Sequence, residues 1–381
     1  MVTMHKPSSM SRVGFYACKS YDQAVVDGVI RKILVDVIQV DDLIKPGFKV
    51  HIKPNLLSLK GPDNAVTTHP ALVKSVATIV KSMGATVAIG DSPAGLTRAI
   101  EKNWLATGMK RVADEAGVTL VALETTGVTL KHIRGKAYAI AKVVDDADIV
   151  INISKLKTHS LTLMTGAIKN MFGVIPGIKK SDYHRIAPDV HQFCSILVDI
   201  FETVKPQINI MDAVLAMDGN GPSSGKPKYL GYILGSRDAV ALDAVAADLF
   251  GFNNDEIITT NLAHERGLGE KRLEHIEIVG LSLNDLERRP ITLPSIRLQS
   301  YVPDFIMDII GKLIWVRPAV TEDLCQRCGL CIQNCPMKAM SSRDGVPRID
   351  YSICIKCFCC DEICPTGAIK QRMSWLVKQL S

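Results

Sequence analysis

Nine of the eleven cysteines in this 381-residue chain lie between Cys325 and Cys364, in two runs of one pattern. The first reads Cys325-Gln-Arg-Cys328-Gly-Leu-Cys331-Ile-Gln-Asn-Cys335-Pro336. The second, offset by 29 positions, reads Cys354-Ile-Lys-Cys357-Phe-Cys359-Cys360-Asp-Glu-Ile-Cys364-Pro365. Both fit C-x2-C-x2-C-x3-C-P, the spacing that holds 4Fe–4S cubanes in two-cluster ferredoxins. Three cysteines on a curling loop wrap one cluster, and the fourth, next to a turn-forming proline, points at the other. The expected ligand sets therefore interlock: Cys325, Cys328, Cys331 and Cys364 for one cluster, and Cys354, Cys357, Cys360 and Cys335 for the second. Zinc is the competing metal, but a zinc site needs four ligands and two complete runs supply eight at iron–sulfur spacing. Cys359 is surplus and reads as a small apolar side chain beside the cluster. Cys18 and Cys194 read as core residues.

A second set of reactive side chains sits upstream. Lys53, Asp91 and Lys155 each follow a predicted strand, at the edge where open parallel sheets bind ligands. Alternate residues of an extended segment share a face, so Lys155, Lys157 and His159 are expected on one side. Lys169 and Asn170 lie in a small-residue helix expected to return toward that edge. In this reading Lys53, Asn55, Lys155, Lys169 and Asn170 anchor a carboxylate or phosphate, while His159, Lys157 and Asp91 handle protons. The alternative is a set of structural salt bridges and solvated lysines. Gly219-Asn-Gly221-Pro222-Ser-Ser-Gly225-Lys226 resembles a phosphate loop, but Pro222 and Pro227 obstruct a helix start; no nucleotide or flavin fingerprint is present.

The elements that position these groups show in the hydrophobic pattern. Val- and Ile-rich runs at Lys49–Ile52, Thr86–Ile89, Asp148–Ile153 and Gln207–Val214 alternate with segments of helical spacing, such as His191–Val204. That alternation predicts an α/β fold, a mainly parallel sheet with helices on both faces over residues 13–285. Residues 286–318 carry four prolines (Pro290, Pro294, Pro303, Pro318) and form an expected connecting arm, with a short amphipathic helix at Phe305–Val316. Residues 319–381 are the expected small α+β, ferredoxin-like two-cluster domain. Hydrophobic residues make up 47% of the chain and aromatics 5%, and the net charge is +6. This excludes a disordered or fibrous chain and argues against nucleic-acid binding. The polar N-terminus, the packed thiols and the lack of a long apolar run predict a cytoplasmic protein without a membrane span.

The order of motifs carries a resemblance. Lys53-Pro54-Asn55, Thr68-His69-Pro70, Gly90-Asp91-Ser92-Pro93 and Asn152-Ile-Ser-Lys155-Leu-Lys157-Thr158-His159 come first. Thr165-Gly-Ala-Ile-Lys169-Asn170-Met-Phe-Gly173, His184, Asp212-Ala213, Gly219-Asn-Gly221-Pro222 and Asp238-x4-Asp243 follow. Together they resemble domain of unknown function 362, whose members often carry a C-terminal two-cluster ferredoxin module. The resemblance covers most of residues 13–270 and implies an α/β fold without supplying a reaction. The leading expectation is an iron–sulfur oxidoreductase with two 4Fe–4S clusters, served by a redox partner protein or acting on a small anionic substrate. The rivals are an electron-transfer adaptor without catalysis of its own and a non-redox α/β enzyme with structural clusters.

Overall fold

The computed structural model describes residues 10–93, 99–177, 179–285, 291–294 and 315–375. In the large domain the strands are β1 (Ser11–Ala17), β2 (Lys49–Lys53), β3 (Thr86–Ile89), β4 (Thr119–Leu120), the hairpin β5 (Val128–Ile133) and β6 (Lys136–Ala141), β7 (Ile149–His159), β8 (Leu163–Thr165), β9 (Ile208–Asp218), β10 (Lys226–Ser236) and β11 (Ile276–Gly280). All but the hairpin join one nine-stranded sheet in the order β11-β1-β10-β9-β7-β2-β3-β4, with β8 paired to β7. From β9 through β7, β2 and β3 to β4 every pairing is parallel, whereas β10 is antiparallel to both neighbours. The α/β expectation with a mainly parallel sheet is met.

Strand alternation builds two cores. Ile151, Ile153, Ile208 and Ile210 pack on one face against the helices Gln23–Lys32 and Pro70–Ser82. Leu156, Met211 and Ala213 pack on the other against Val190–Val204 and Ala239–Leu249. Cys18 and Cys194 are fully buried in these layers. Local sequence sets the helix starts: Asp189 accepts from Gln192 N at 3.0 Å, and Asp238 accepts from Val240 N and Ala241 N at 2.8 and 3.0 Å, each supplying donors at a helix N-terminus with an acceptor. Strands β7 and β9 run longer than their apolar stretches predict, to His159 and Asp218. Lys155 is thus inside a strand rather than after one.

The C-terminal module pairs β12 (Val316–Val320) with β15 (Ile369–Met373) and β13 (Met340–Arg343) with β14 (Val346–Ile349), all antiparallel. Two short helices, Leu330–Gln333 and Cys359–Ile363, follow the cysteine loops. Their preceding residues, Gly329 and Phe358, are both left-handed, at φ 71° and 61°, so the sequence repeat is also a backbone repeat. The expected amphipathic helix over Phe305–Val316 lies outside the described residues as far as Ile314, and Val316 opens β12. No helix among the described residues is long and apolar enough to cross a membrane.

Candidate functional site

Strand β7 lies on one side of β2 while β3 and β4 lie on the other, so the chain order reverses between β2 and β7. In open α/β sheets a crevice forms at such a reversal, beyond the carboxyl ends of the strands. A cavity occupies that place. Lys53, the last residue of β2, is buried there and donates to Pro54 O at 2.8 Å and Asn170 Oδ1 at 3.2 Å, with Asp91 Oδ1 at 2.8 Å. Asp91 Oδ2 accepts from Leu56 N at 2.7 Å. Asn55 gives Nδ2–H to Asn170 Oδ1 (3.1 Å), and its Oδ1 accepts from Lys157 Nζ at 2.7 Å. A Cβ at Gly173 would collide with Asp91 Oδ1 and Lys53 Nζ, so only glycine lets the chain pass this close. Lys53, Asn55, Asp91, Lys157, Lys169 and Asn170 all line the cavity; six of the eight residues expected at the sheet edge converge.

Lys155 and His159 do not line it. The pairing of β7 with β9 shifts register between Lys155 and Lys157, and the two lysines part company. Lys155 Nζ is sealed against Asp212 Oδ2 at 2.8 Å and Tyr21 OH at 2.9 Å. Asp212 also accepts from Tyr21 OH at 2.7 Å and His69 N at 3.0 Å. His69 caps the helix Pro70–Ser82 and stacks on Tyr21, centroids 3.6 Å apart. This is a structural ion pair. His159 Nδ1 accepts from Leu161 N and Thr162 N at 3.0 and 3.2 Å. Its proton therefore sits on Nε2, which donates to Glu362 Oε1 at 3.2 Å. Burial first, then the Lys169 charge, pushes the His159 pKa down to about 4, so the ring is neutral near pH 7.

Glu362 belongs to the cysteine module, which forms the cavity's other wall through Asn334, Cys359, Glu362 and Ile363. Ser224 Oγ donates to Asp361 Oδ1 at 2.5 Å, Ser223 Oγ to Asp361 O at 3.2 Å, and Gln371 Nε2 to Ser160 Oγ. The glycine-rich loop at 219–225 is thus the seat of the module rather than a phosphate cradle, although Pro222 reaches the cavity. The enclosed lysines are electrostatically strained. Burial and then Lys169 press the Lys157 pKa well below its usual value; burial lowers Lys169 as well, and brings Lys180 to about 8.

Two smaller cavities lie inside the module. One is lined by Cys325, Cys328, Cys331 and Cys364, the other by Cys335, Cys354, Cys357 and Cys360. Each thus contains three cysteines of one run and the fourth of the other, a donor set suited to a cubane. The first is the outer one, with Cys328 exposed. The inner one shares Cys359 with the cationic cavity.

Residues 50–248 match a family model described as "Domain of unknown function (DUF362)". The chain belongs to the DUF362 family. Residues 317–365 match a 4Fe–4S dicluster domain, so this DUF362 protein is an iron–sulfur protein. It is 31% identical over 273 residues to the "Thylakoid-associated protein sll1697" of Synechocystis sp., covering 69% of this chain and 81% of that protein. Among solved structures, the lactate racemase apoprotein from Thermoanaerobacterium thermosaccharolyticum superposes with a TM-score of 0.42 at 14% identity, covering 67% of this chain and 60% of that one.

Among the residues that line the cavity of this DUF362 protein, Lys180 and Glu362 stand in no motif singled out in the sequence, and Thr165 and Phe172 stand in one without a role of their own. Glu362 left one signal. Asp361-Glu362 stands where the first cysteine run has Ile332-Gln333, and an acidic pair inside a cluster-binding run asks for a partner outside it.

Proposed function

We propose that the protein is an oxidoreductase in which electrons reach a small anionic substrate, held at the sheet edge, by way of two 4Fe–4S clusters. The observation that carries this reading is the position of Cys359, in the wall common to the inner cysteine cavity and the cationic cavity. Cys325, Cys328, Cys331 and Cys364 would hold the outer cluster, and Cys354, Cys357, Cys360 and Cys335 the inner. When bound, such clusters supply electrons one at a time. The exposed outer site suits a separate redox protein as donor, and thiol ligands suit a reducing compartment such as the cytoplasm.

The other residues take distinct parts. Lys169 draws in the anion; Lys53, Asn55 and Asn170 fix the floor, and Asp91 orients Lys53. Lys157, its pKa pressed well down by burial, and Lys180, brought to about 8, are the groups suited to proton transfer. His159, with both ring nitrogens engaged, fastens the module, and Lys155 braces the sheet. The test is anaerobic: holo-protein is reduced with dithionite, freed of excess reductant and offered a panel of small anionic metabolites. Reoxidation by one of them without a protein partner is expected. Reoxidation only by another protein would replace the enzyme reading with the adaptor.

A further inference from the structure

The polar groups facing the cavity are unevenly spent. The acceptors of Asn55 and Asn170 are already taken by Lys157, Lys53 and Asn55 itself; Asp91 Oδ2 takes Leu56 N, Asp91 Oδ1 is held in the ion pair with Lys53, and Glu362 Oε1 takes His159 Nε2. Donors remain. Thr165 Oγ1 is buried, with the residue 3% exposed, and has no hydrogen-bond partner. Lys169 feels the Glu362 carboxylate but makes no hydrogen bond among the described residues. A surplus of donors and positive charge is answered by an acceptor-rich anion. No arginine is among the described residues that line the cavity. Lysine acts as a point charge without the planar fork that selects bidentate partners, so carboxylate and phosphate heads share the chemistry.

The same lining includes aromatic and apolar side chains. Phe172 and His184 both face the cavity and meet edge to face, centroids 6.3 Å apart at 83°. His184 is backed by Phe193, stacked at 4.1 Å. Leu57 and Ile363 also line the cavity. Rings held in this way offer a face or edge to another ring.

We propose that the cavity takes a flat conjugated acid, with its carboxylate or phosphate on Lys169 and Thr165 and its ring against Phe172 and His184. The choice of a conjugated ring rests on the electron-delivery reading, because such a ring can accept electrons singly; the head-group assignment stands on the donors alone. Binding to fully oxidised holo-protein needs no electron transfer, so its failure and the failure of the redox reading are separable. Calorimetric titration would compare 2-naphthoate and 2-naphthyl phosphate with 2-naphthylmethanol, acetate and inorganic phosphate. At least one naphthyl acid should bind about tenfold tighter, or more, than the alcohol and both small anions, about 1.4 kcal/mol or more, and the tighter of the two acids identifies the head group. Lys169→Met should cost that acid about tenfold, Lys169→Arg should retain it, and Thr165→Val, which keeps the volume, should weaken it several-fold. Iron content and the thermal midpoint establish that each variant is folded. The proposal is overturned by absent binding, by a small anion or the alcohol binding as tightly as the acids, or by Lys169→Met binding unchanged. Should Lys169→Met fail to fold, unchanged binding by Thr165→Val overturns it instead.

Discussion

The two cysteine runs share spacing, left-handed positions and helix placement, yet they face different surroundings. The outer cavity has an exposed ligand candidate in Cys328 and shares no lining residue with the cationic cavity. The inner one has no exposed cysteine and adjoins that cavity through Cys359. Residues outside the expected ligand sets create the difference. Where the first run has Leu330, Ile332 and Gln333, the second has Cys359, Asp361 and Glu362; Asp361 and Glu362 bond to Ser224 and His159 of the large domain, and Cys359 lines the cationic cavity. A repeat fixes what is bound; substitutions between its conserved positions decide what the bound group faces.

The strongest way to break this contrast is to exchange the crossing ligands. Cys335→Ala should remove the inner cluster and Cys364→Ala the outer, each taking about four of about eight irons, with different components lost from the electron paramagnetic resonance spectrum. Loss of the same component in both variants would contradict the interlocked assignment. Exposure gives the next effect: an iron chelator added to oxidised protein should strip the outer site several-fold faster than the inner, followed by absorbance and spin signal together. Equal rates would mean the seal around the inner site is ineffective. Glu362→Ala leaves the buried Nε2–H of His159 without its acceptor and should cost about 1–3 kcal/mol in urea unfolding, with the outer spin signal unchanged. The smallest effect belongs to Cys359→Ala, expected to leave iron and sulfide content at the wild-type level. Loss of iron there would make Cys359 a ligand.

The sheet was legible because Val- and Ile-rich runs buried on both faces have few alternatives, and the cysteine runs were legible because cluster ligation ties residue type to fixed spacing. Lys155 and Lys157 show where such reasoning stops. Two residues apart on a strand, they are expected on one face, but the pairing with β9 shifts register between them, and one meets Asp212 while the other meets Asn55. Nothing local marks that shift, which depends on how β9 continues some sixty residues later. His159 was visible as a titratable group but not as a fastening, because Glu362 lies about two hundred residues downstream. Lys157 is also buried rather than at a free edge, donating to Asn55 Oδ1 and Val66 O, both at 2.7 Å, so replacing it will carry a folding cost that an exposed lysine would not.

The helix Cys359–Ile363 supplies part of the cavity wall and sits directly after Cys357, with Cys360 inside it. Metal binding and folding are coupled in small modules of this kind. On the proposed reading, a newly made chain that has not received its iron is expected to lack the wall that completes the cavity, leaving its lysines on an open shelf of the large domain. Under that proposal, assembly of the clusters and competence to hold a ligand would be a single event, a maturation checkpoint against holding an electron acceptor where no electrons can arrive.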